Sequence, residues 1–292
     1  MDRTLPLLLP LTAALLYVFG ALLIKRSGDF GVGAWRTAFV ANLTSALLFQ
    51  LLLPLGGAFP VELLWQPALL GVLFLLAQSF NYLALERGDV SVATPVLGLK
   101  IILVALFTTV LLTQGISSRL WAAAALSSVA VLLLNRTGGA SHHHVGRTIF
   151  YAGLSAASFA LFDVLVQKWS PAWGEGRLLP AMFWFVAAFS LVLLPFFRAP
   201  IPAIPRAAWP WLTGGCVLMG LQALMFVMVI VKFRNATATN VIYSSRGLWS
   251  VVVVWAIGHW FANPEQHLGA RVLRWRLAGA TLMMTAILLV VF

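Results

Sequence analysis

Residues 5–24 read LPLLLPLTAALLYVFGALLI, a run without a charged residue. About 20 such residues in an α-helix cross the hydrocarbon core of a bilayer, and a helix satisfies its own backbone hydrogen bonds in lipid. Arg3 precedes the run, as in a secretory signal peptide, but the apolar stretch continues to Ile24 and nothing typical of a secreted domain follows. The stretch therefore predicts a first transmembrane helix.

Nine further apolar blocks follow, and each has the length of a spanning helix. The ten blocks cover about 5–24, 33–53, 67–85, 92–113, 119–135, 148–168, 180–197, 209–231, 238–261 and 274–292. Ten crossings use most of the 292 residues and leave no room for a soluble domain. The sequence therefore predicts an all-α integral membrane protein with ten transmembrane helices.

The composition excludes several other classes of protein. The chain is 61% hydrophobic and only 9% charged, and its mean hydropathy is +0.96. Soluble globular domains are about a quarter charged, so a soluble enzyme, a disordered chain and a fibrous protein are all excluded. The net charge of +11 would suggest nucleic acid as the partner of a soluble protein. Here the basic residues lie between apolar blocks, which favours membrane lipids and not nucleic acid.

No metal, cofactor or enzymatic motif is expected. The single cysteine, Cys216, excludes an intrachain disulfide and a thiolate-clustered metal site. The tract His142-His143-His144 has no helical spacing and no nearby carboxylate, so a solvated linker is the better interpretation. Neither a glycine-rich phosphate loop nor a nucleophile elbow occurs.

The two halves of the chain match each other in order. The matching positions are Trp65 with Trp209, Gln78 with Gln222, and 93–96 with 238–241, all separated by 144 or 145 residues. The pattern predicts a first five-helix repeat over 1–137, a linker over 138–147 and a second five-helix repeat over 148–292. Five is an odd number, so the second repeat enters the membrane from the opposite side. Inverted repeats of this kind in transporters share a cavity near the membrane midplane.

The basic residues predict the orientation. Eleven of the nineteen Lys and Arg residues lie in the odd-numbered connections: Lys25, Arg26, Arg36, Arg87, Arg136, Arg147, Arg198, Arg206, Arg271, Arg274 and Arg276. Six lie at the amino terminus or in even-numbered connections: Arg3, Arg119, Lys168, Arg177, Lys232 and Arg234. Cytoplasmic loops carry the excess of Lys and Arg, so both termini are expected outside the cytoplasm.

The chain resembles the EamA-like family of the drug/metabolite transporter superfamily over nearly its whole length. The resemblance rests on Lys25, Arg36, 84–85, 92–96 and the small-residue block 122–134. The second repeat departs from the first because Asn240 stands where the first has Pro95. The resemblance implies a carrier of small metabolites, amino acids or drugs, often an exporter. It also implies a central cavity lined mainly by spans 1, 3, 4, 6, 8 and 9, and it does not fix the substrate.

Two basic side chains inside the blocks are candidate substrate ligands. A charge at the centre of a membrane helix costs about 2.5–3.5 kcal/mol on insertion scales, so Lys100 and Arg246 should face a cavity or a partner. Tyr243 and Trp249 lie three residues before and after Arg246, on one face of a helix. A guanidinium between two aromatic rings suits a carboxylate or an aromatic ring, and a structural ion pair with Asp163 is the alternative.

Asp163 is the one acid well inside a block. It is interpreted either as the carrier of a coupling proton or as half of a structural ion pair with Lys100 or Arg246. Four polar residues are candidate hydrogen-bonding groups of the cavity: Gln78, Asn81, Tyr82 and Gln222. Amides inside membranes also join helices to each other, which is their commoner role.

Together these features predict a secondary transporter of the bacterial inner membrane that works by alternating access, with export as the expected direction. Two basic groups against one acid favour an anionic or zwitterionic substrate, such as an amino acid or an organic acid. Protons are the candidate coupling ion. The alternatives are a flippase for lipid-linked head groups, a membrane-embedded enzyme acting on lipid substrates, and a channel.

Overall fold

The computed structural model describes residues 5–86, 90–113, 115–134, 145–257 and 270–291. Over these residues the chain forms α-helices and short 3-10 turns, without a β-strand. Seven of the described helices are long and apolar enough to cross a membrane. The predicted all-α class and the membrane-spanning character are therefore confirmed.

The same order of elements occurs twice along the chain. The first half contains α1 (Leu5–Gly28), α2 (Ala34–Phe49), α3 (Trp65–Glu86), α4 (Val90–Gly98), α5 (Lys100–Leu112) and α6 (Ser118–Leu134). The second half contains α7 (Val145–Trp173), α8 (Leu178–Phe189), α9 (Trp209–Phe233), α10 (Ala236–Tyr243), α11 (Arg246–Ile257) and α12 (Ala270–Val291). In both halves the second helix ends in a 3-10 turn, Gln50–Leu55 or Ser190–Phe196. Each turn contains a proline, which cannot donate the next helical hydrogen bond.

Two predicted spans are divided in the structure. The sequence predicts one continuous helix over 92–113 and another over 238–261, and both predictions are wrong in this respect. The amide of Leu99 bonds to the carbonyl of Val96 (3.1 Å), and the amide of Ser245 bonds to that of Ile242 (3.1 Å). Each amide thus reaches back three residues instead of four, which tightens the helix into a 3-10 turn. Residues 258–261, at the end of the second span, lie outside the described part.

The interruptions place the two intramembrane cations at equivalent points. Lys100 is the first residue of α5 and Arg246 is the first residue of α11. The linker predicted over 138–147 is described only from Val145, where α7 begins three residues earlier than the sequence predicts. The histidine tract 142–144 lies outside the described residues.

Helices of each half pack against helices of the other half. Helix α1 of the first half runs along α9 of the second, and α7 of the second half runs along α3 of the first. Helices α6 and α12 pack together as well. Glycines permit these close approaches, since a Cβ added at Gly279 would lie 2.9 Å from the carbonyl oxygen of Ala130. The interface between the halves therefore includes α1, α3 and α6 of the first half and α7, α9 and α12 of the second.

Two glycine-rich connections meet at one end of the bundle. The amide of Gly176, after α7, donates to the carbonyl of Gly56, after α2 (3.1 Å). Gly57 has φ +127°, and a Cβ there would clash with the carbonyl oxygen of Trp173. This contact fixes the connection between α2 and α3 against the connection between α7 and α8.

Gly57→Ala is expected to destabilise the folded protein by about 2–4 kcal/mol, because a side chain there adds both backbone strain and a clash. The measurement is thermal unfolding of the purified protein in detergent. Gly28→Ala is the matched control, since an added Cβ at Gly28 meets nothing within 4 Å. Equal melting temperatures for the two variants would contradict this account of the contact.

Candidate functional site

A buried ion pair lies between helices of the two halves. The Lys100 Nζ at the start of α5 lies 2.8 Å from the Asp163 Oδ2 of α7. The Asn240 side chain of α10 donates to the same oxygen at 2.7 Å. Asp163 is 1% exposed and Lys100 is 17% exposed. A buried carboxylate requires such donors, because an unpaired charge in an apolar interior is costly.

The partner of Lys100 comes from a different helix and from the opposite half of the chain. The apolar neighbours of Lys100 on its own helix gave no sign of this partner. The structure thus forms one of the ion pairs predicted for Asp163, the one with Lys100. Among the described residues no carboxylate lies within 4.0 Å of the Arg246 guanidinium, so the alternative pair of Arg246 with Asp163 is not formed.

The Arg246 guanidinium lies between two tyrosine rings. Its central carbon lies 4.5 Å from the ring centroid of Tyr17 on α1 and 4.9 Å from that of Tyr243 on α10. One guanidinium nitrogen lies 3.4 Å from the Tyr243 hydroxyl, a long hydrogen bond. That hydroxyl donates to the Gln222 Oε1 of α9 at 2.6 Å. Aromatic faces attract the cation, but they do not neutralise its charge.

Aromatic rings connect the ion pair to the arginine. The Lys100 Nζ lies 5.2 Å from the ring centroid of Phe226 on α9 and 5.5 Å from that of Phe159 on α7. The Phe226 ring in turn lies 4.5 Å from the Tyr243 ring. We call this continuous group the central cluster: Tyr17, Lys100, Phe159, Asp163, Gln222, Phe226, Asn240, Tyr243 and Arg246. It draws on α1, α5, α7, α9, α10 and α11, and two of these helices begin with its two cations.

The described hydrogen bonds and ring contacts of the candidates on α3 are made with residues outside the central cluster. Gln78 exchanges hydrogen bonds with Asn42 of α2, at 3.0 and 3.2 Å, and Asn42 also donates to Ser190 at 2.8 Å. The amide of Gln78 therefore joins helices, which is the alternative that sequence analysis left open for it. The Tyr82 ring packs edge-on against Trp35, with centroids 6.0 Å apart. Asn81 is half-buried on the same helix.

Sequence analysis missed four members of the central cluster. Tyr17, Phe159 and Phe226 lie in apolar blocks, where an aromatic residue is ordinary, and Asn240 was noted only because it replaces the proline of the first repeat. That replacement was the one available signal, since a polar amide inside a span needs a partner. Gln167, one turn after Asp163, accepts a hydrogen bond from the first amide of α10, that of Ala236, at 2.7 Å. This bond holds α10 against α7 next to the ion pair.

Trp249 lies one turn after Arg246 on α11 and packs against a small apolar cluster of Val18 and Leu22 on α1 with Val253 on α11, against which Tyr17 also packs. Its indole nitrogen is buried and has no hydrogen-bond partner among the described residues, and the same holds for the hydroxyl of Ser245. Over the described ranges, the chain forms no group of three His, Cys, Asp or Glu side chains that could hold a metal ion.

Comparison with known proteins shows the fold alone. No protein-family model and no curated protein matches the chain. One crystal structure, described only as that of a protein, aligns with a TM-score of 0.75 over 99% of this chain and 96% of that chain. The two sequences are 18% identical, so the likeness shows a shared fold and carries no function. The resemblance to the EamA-like family stays a prediction.

Proposed function

We propose that the chain is a secondary transporter of small anionic or zwitterionic metabolites that works by alternating access across the bacterial inner membrane. The central cluster carries the proposal. Three ionisable side chains, Lys100, Asp163 and Arg246, lie within apolar helices, where each charge is expensive. Intramembrane charges at interrupted helices are typical of substrate and ion sites in transporters.

The organisation of the helices supports ten spans arranged as an inverted repeat. The interruptions fall at corresponding points, at Leu99 in the first half and at 244–245 in the second, 145 to 146 residues apart, close to the separation of the matched segments 93–96 and 238–241. The crosswise packing of α1 on α9 and of α7 on α3 is the contact pattern expected of two such halves.

The contacts between connections agree with this topology. In a ten-span chain the second and sixth connections lie on one side of the membrane, and Gly56 and Gly176 of these connections are hydrogen-bonded. The first and seventh lie on the other side, where Val32 packs in one apolar cluster with Ile204 and Ala208.

The distribution of charge favours an anion as the ligand. Lys100 and Asp163 neutralise each other, so the positive excess of the central cluster resides on Arg246. A guanidinium presents planar, paired donors that match a carboxylate. The rings of Tyr17 and Tyr243 beside it offer an apolar surface for the rest of the molecule. An amino acid, which is a zwitterion, and a simple organic acid, which is an anion, can each combine a carboxylate with an apolar body.

The proposal is tested by screening metabolites of different charge for a rise in the melting temperature of the purified protein, followed by uptake into proteoliposomes. A ligand that binds the folded state stabilises it by mass action. We expect anions or zwitterions to stabilise the protein, and their uptake to be saturable. Passive, non-saturable flux would instead indicate a channel. Turnover of prenyl or phospholipid substrates by the purified protein would indicate an enzyme.

We expect both termini to lie on the periplasmic side, because the odd-numbered connections hold most of the basic residues. Alkaline phosphatase fused after Phe292 should then be active, and green fluorescent protein at the same position should be dark. The opposite pair of results would show that the orientation is reversed.

A further inference from the structure

The turn between α10 and α11 holds two buried hydrogen-bond donors without acceptors. Ser245 is 1% exposed, and its hydroxyl has no partner among the described residues. The indole N–H of Trp249 is likewise buried and unpartnered there. Nearly all buried polar groups in folded proteins are hydrogen-bonded, so two exceptions within five residues require an explanation.

These donors flank the cation that carries the positive excess. Arg246 follows Ser245 directly, and Trp249 lies three residues further on, on the same face of α11 as Arg246. The guanidinium stacks on Tyr17 of α1, and Trp249 packs with Tyr17 against the same apolar cluster. Arg246 and Trp249 therefore both face α1.

Building on the proposed function, we infer that Trp249 and Ser245 are specificity-determining residues that, with Arg246, bind a substrate carboxylate. The three groups are a guanidinium, an indole N–H and a hydroxyl. The first two can only donate, and the hydroxyl can donate as well. Their common complement is an acceptor with several lone pairs. An ionised carboxylate is acceptor-only and matches a guanidinium in a two-point contact.

The charge of the cluster selects a carboxylate over a phosphate ester. The central cluster leaves one positive charge unpaired among the described residues, that of Arg246. The single negative charge of a bound carboxylate would balance it. A phosphate monoester carries about 1.5 to 2 negative charges at neutral pH and would leave an excess. A quaternary ammonium compound offers no acceptor to these three donors.

A shift in the backbone of the turn between α10 and α11 would let a ligand reach the two donors. Both donor atoms are closed off in this conformation, so the turn has to shift before a ligand can contact them. The amides of Ser245 and Gly247 bond to carbonyls three residues back, at 3.1 Å in both cases. Such 3-10 turns within a helix often mark a hinge. Gly247 packs tightly, since a Cβ there would lie 3.3 Å from a side-chain carbon of Leu134.

The test compares two probes that differ only in the acceptor group, 3-phenylpropanoate and 3-phenylpropanamide. Binding to the purified full-length protein is measured by thermal shift and by calorimetry in the same detergent. The wild-type protein should prefer the carboxylate. Trp249→Phe should weaken carboxylate binding about tenfold or more, the loss expected for a hydrogen bond to a charged group. Amide binding should weaken less than carboxylate binding, because a hydrogen bond to a neutral carbonyl is worth less than one to a charged group.

Two further variants separate a binding role from a structural role. Ser245→Ala should weaken carboxylate binding without lowering the melting temperature of the ligand-free protein, because the hydroxyl has no hydrogen bond to lose among the described residues. Trp169→Phe makes the same change in a tryptophan that packs against Trp65, with ring centroids 5.1 Å apart, and should leave both affinities unchanged.

A wild-type protein without a preference for the carboxylate probe would overturn the inference. So would undiminished carboxylate binding in both Trp249→Phe and Ser245→Ala. These measurements involve no transport, so either result would leave the proposed carrier function to be decided separately by flux measurements.

Discussion

Asp163→Asn is expected to destabilise the folded protein by about 3–5 kcal/mol, the cost of removing one partner of a buried ion pair. In the native protein the Lys100 ammonium lies 2.8 Å from the Asp163 carboxylate between α5 and α7. An asparagine keeps the size of the side chain but leaves the ammonium without its counter-charge. Thermal unfolding of the purified variant in detergent measures the loss.

A second substitution separates the charge effect from the packing effect. Lys100→Met combined with Asp163→Asn removes both charges and should recover most of the lost stability, because well-packed apolar groups often replace a buried pair at little cost. Asp29→Asn is the matched surface control. Its partner Arg26 lies 2.9 Å away, but both side chains are exposed, so the change should cost about 1 kcal/mol or less. Equal losses for Asp163→Asn and Asp29→Asn would contradict the assigned role of the buried pair.

The same variants address proton coupling. If Asp163 carries the coupling proton, Asp163→Asn should abolish uptake driven by a pH gradient and spare the exchange of substrate for substrate, since exchange needs no net proton movement. If the pair is structural, driven uptake and exchange should fall together with the amount of folded protein. Comparing the two fluxes per folded molecule decides between the two roles that the sequence left open.

Arg246→Ala is expected to weaken binding of the anionic ligand found by the thermal-shift screen about 100-fold, because the variant loses a charge-assisted, two-point contact. Arg246→Lys should weaken it less, since lysine keeps the charge and loses the planar fork. Calorimetry on the purified variants measures both losses. The variants should fold, because the guanidinium has no carboxylate partner among the described residues to leave unpaired.

Arg206→Ala is the control for a general effect of charge. Arg206 is exposed in the connection before α9, and its removal changes the net charge by the same amount. It should leave binding unchanged. Normal binding in Arg246→Ala, or quaternary ammonium cations as the preferred ligands, would contradict the assignment of the positive excess to an anion site.

Hydropathy alone predicted the helical blocks well. For example, 67–85 and 209–231 correspond to α3 (Trp65–Glu86) and α9 (Trp209–Phe233) within a few residues. A hydropathy average depends only on the side chains in its window. It therefore does not detect a change in the backbone hydrogen-bonding pattern. The turn at Leu99 includes Gly98 and directly follows Pro95, so a local signal of it was present that a hydropathy average does not register.

Sequence analysis identified several residues of the candidate site but did not predict most of the contacts between them. Arg246, Tyr243 and Lys100 were identified because charge and aromatic spacing can be seen along one helix. The partner of Lys100 lies on a helix of the other half, 63 positions away at Asp163, and only tertiary packing brings the two together. Gln78 and Gln222 occupy matching positions in the two halves, yet Gln78 bonds to Asn42 and Gln222 to Tyr243. The matching sequence positions of Gln78 and Gln222 therefore did not predict matching hydrogen-bond partners.

The measurement that tests the proposed function most directly is counterflow in proteoliposomes. Vesicles loaded with the unlabelled ligand should transiently accumulate labelled ligand against its gradient, as only a carrier with a shared, alternately accessible site can do. Arg206→Ala vesicles should behave like the wild type, and Arg246→Ala vesicles should lose the accumulation. Equilibration without counterflow in the wild type, or undiminished counterflow in Arg246→Ala, would contradict a carrier that binds its substrate at the central cluster.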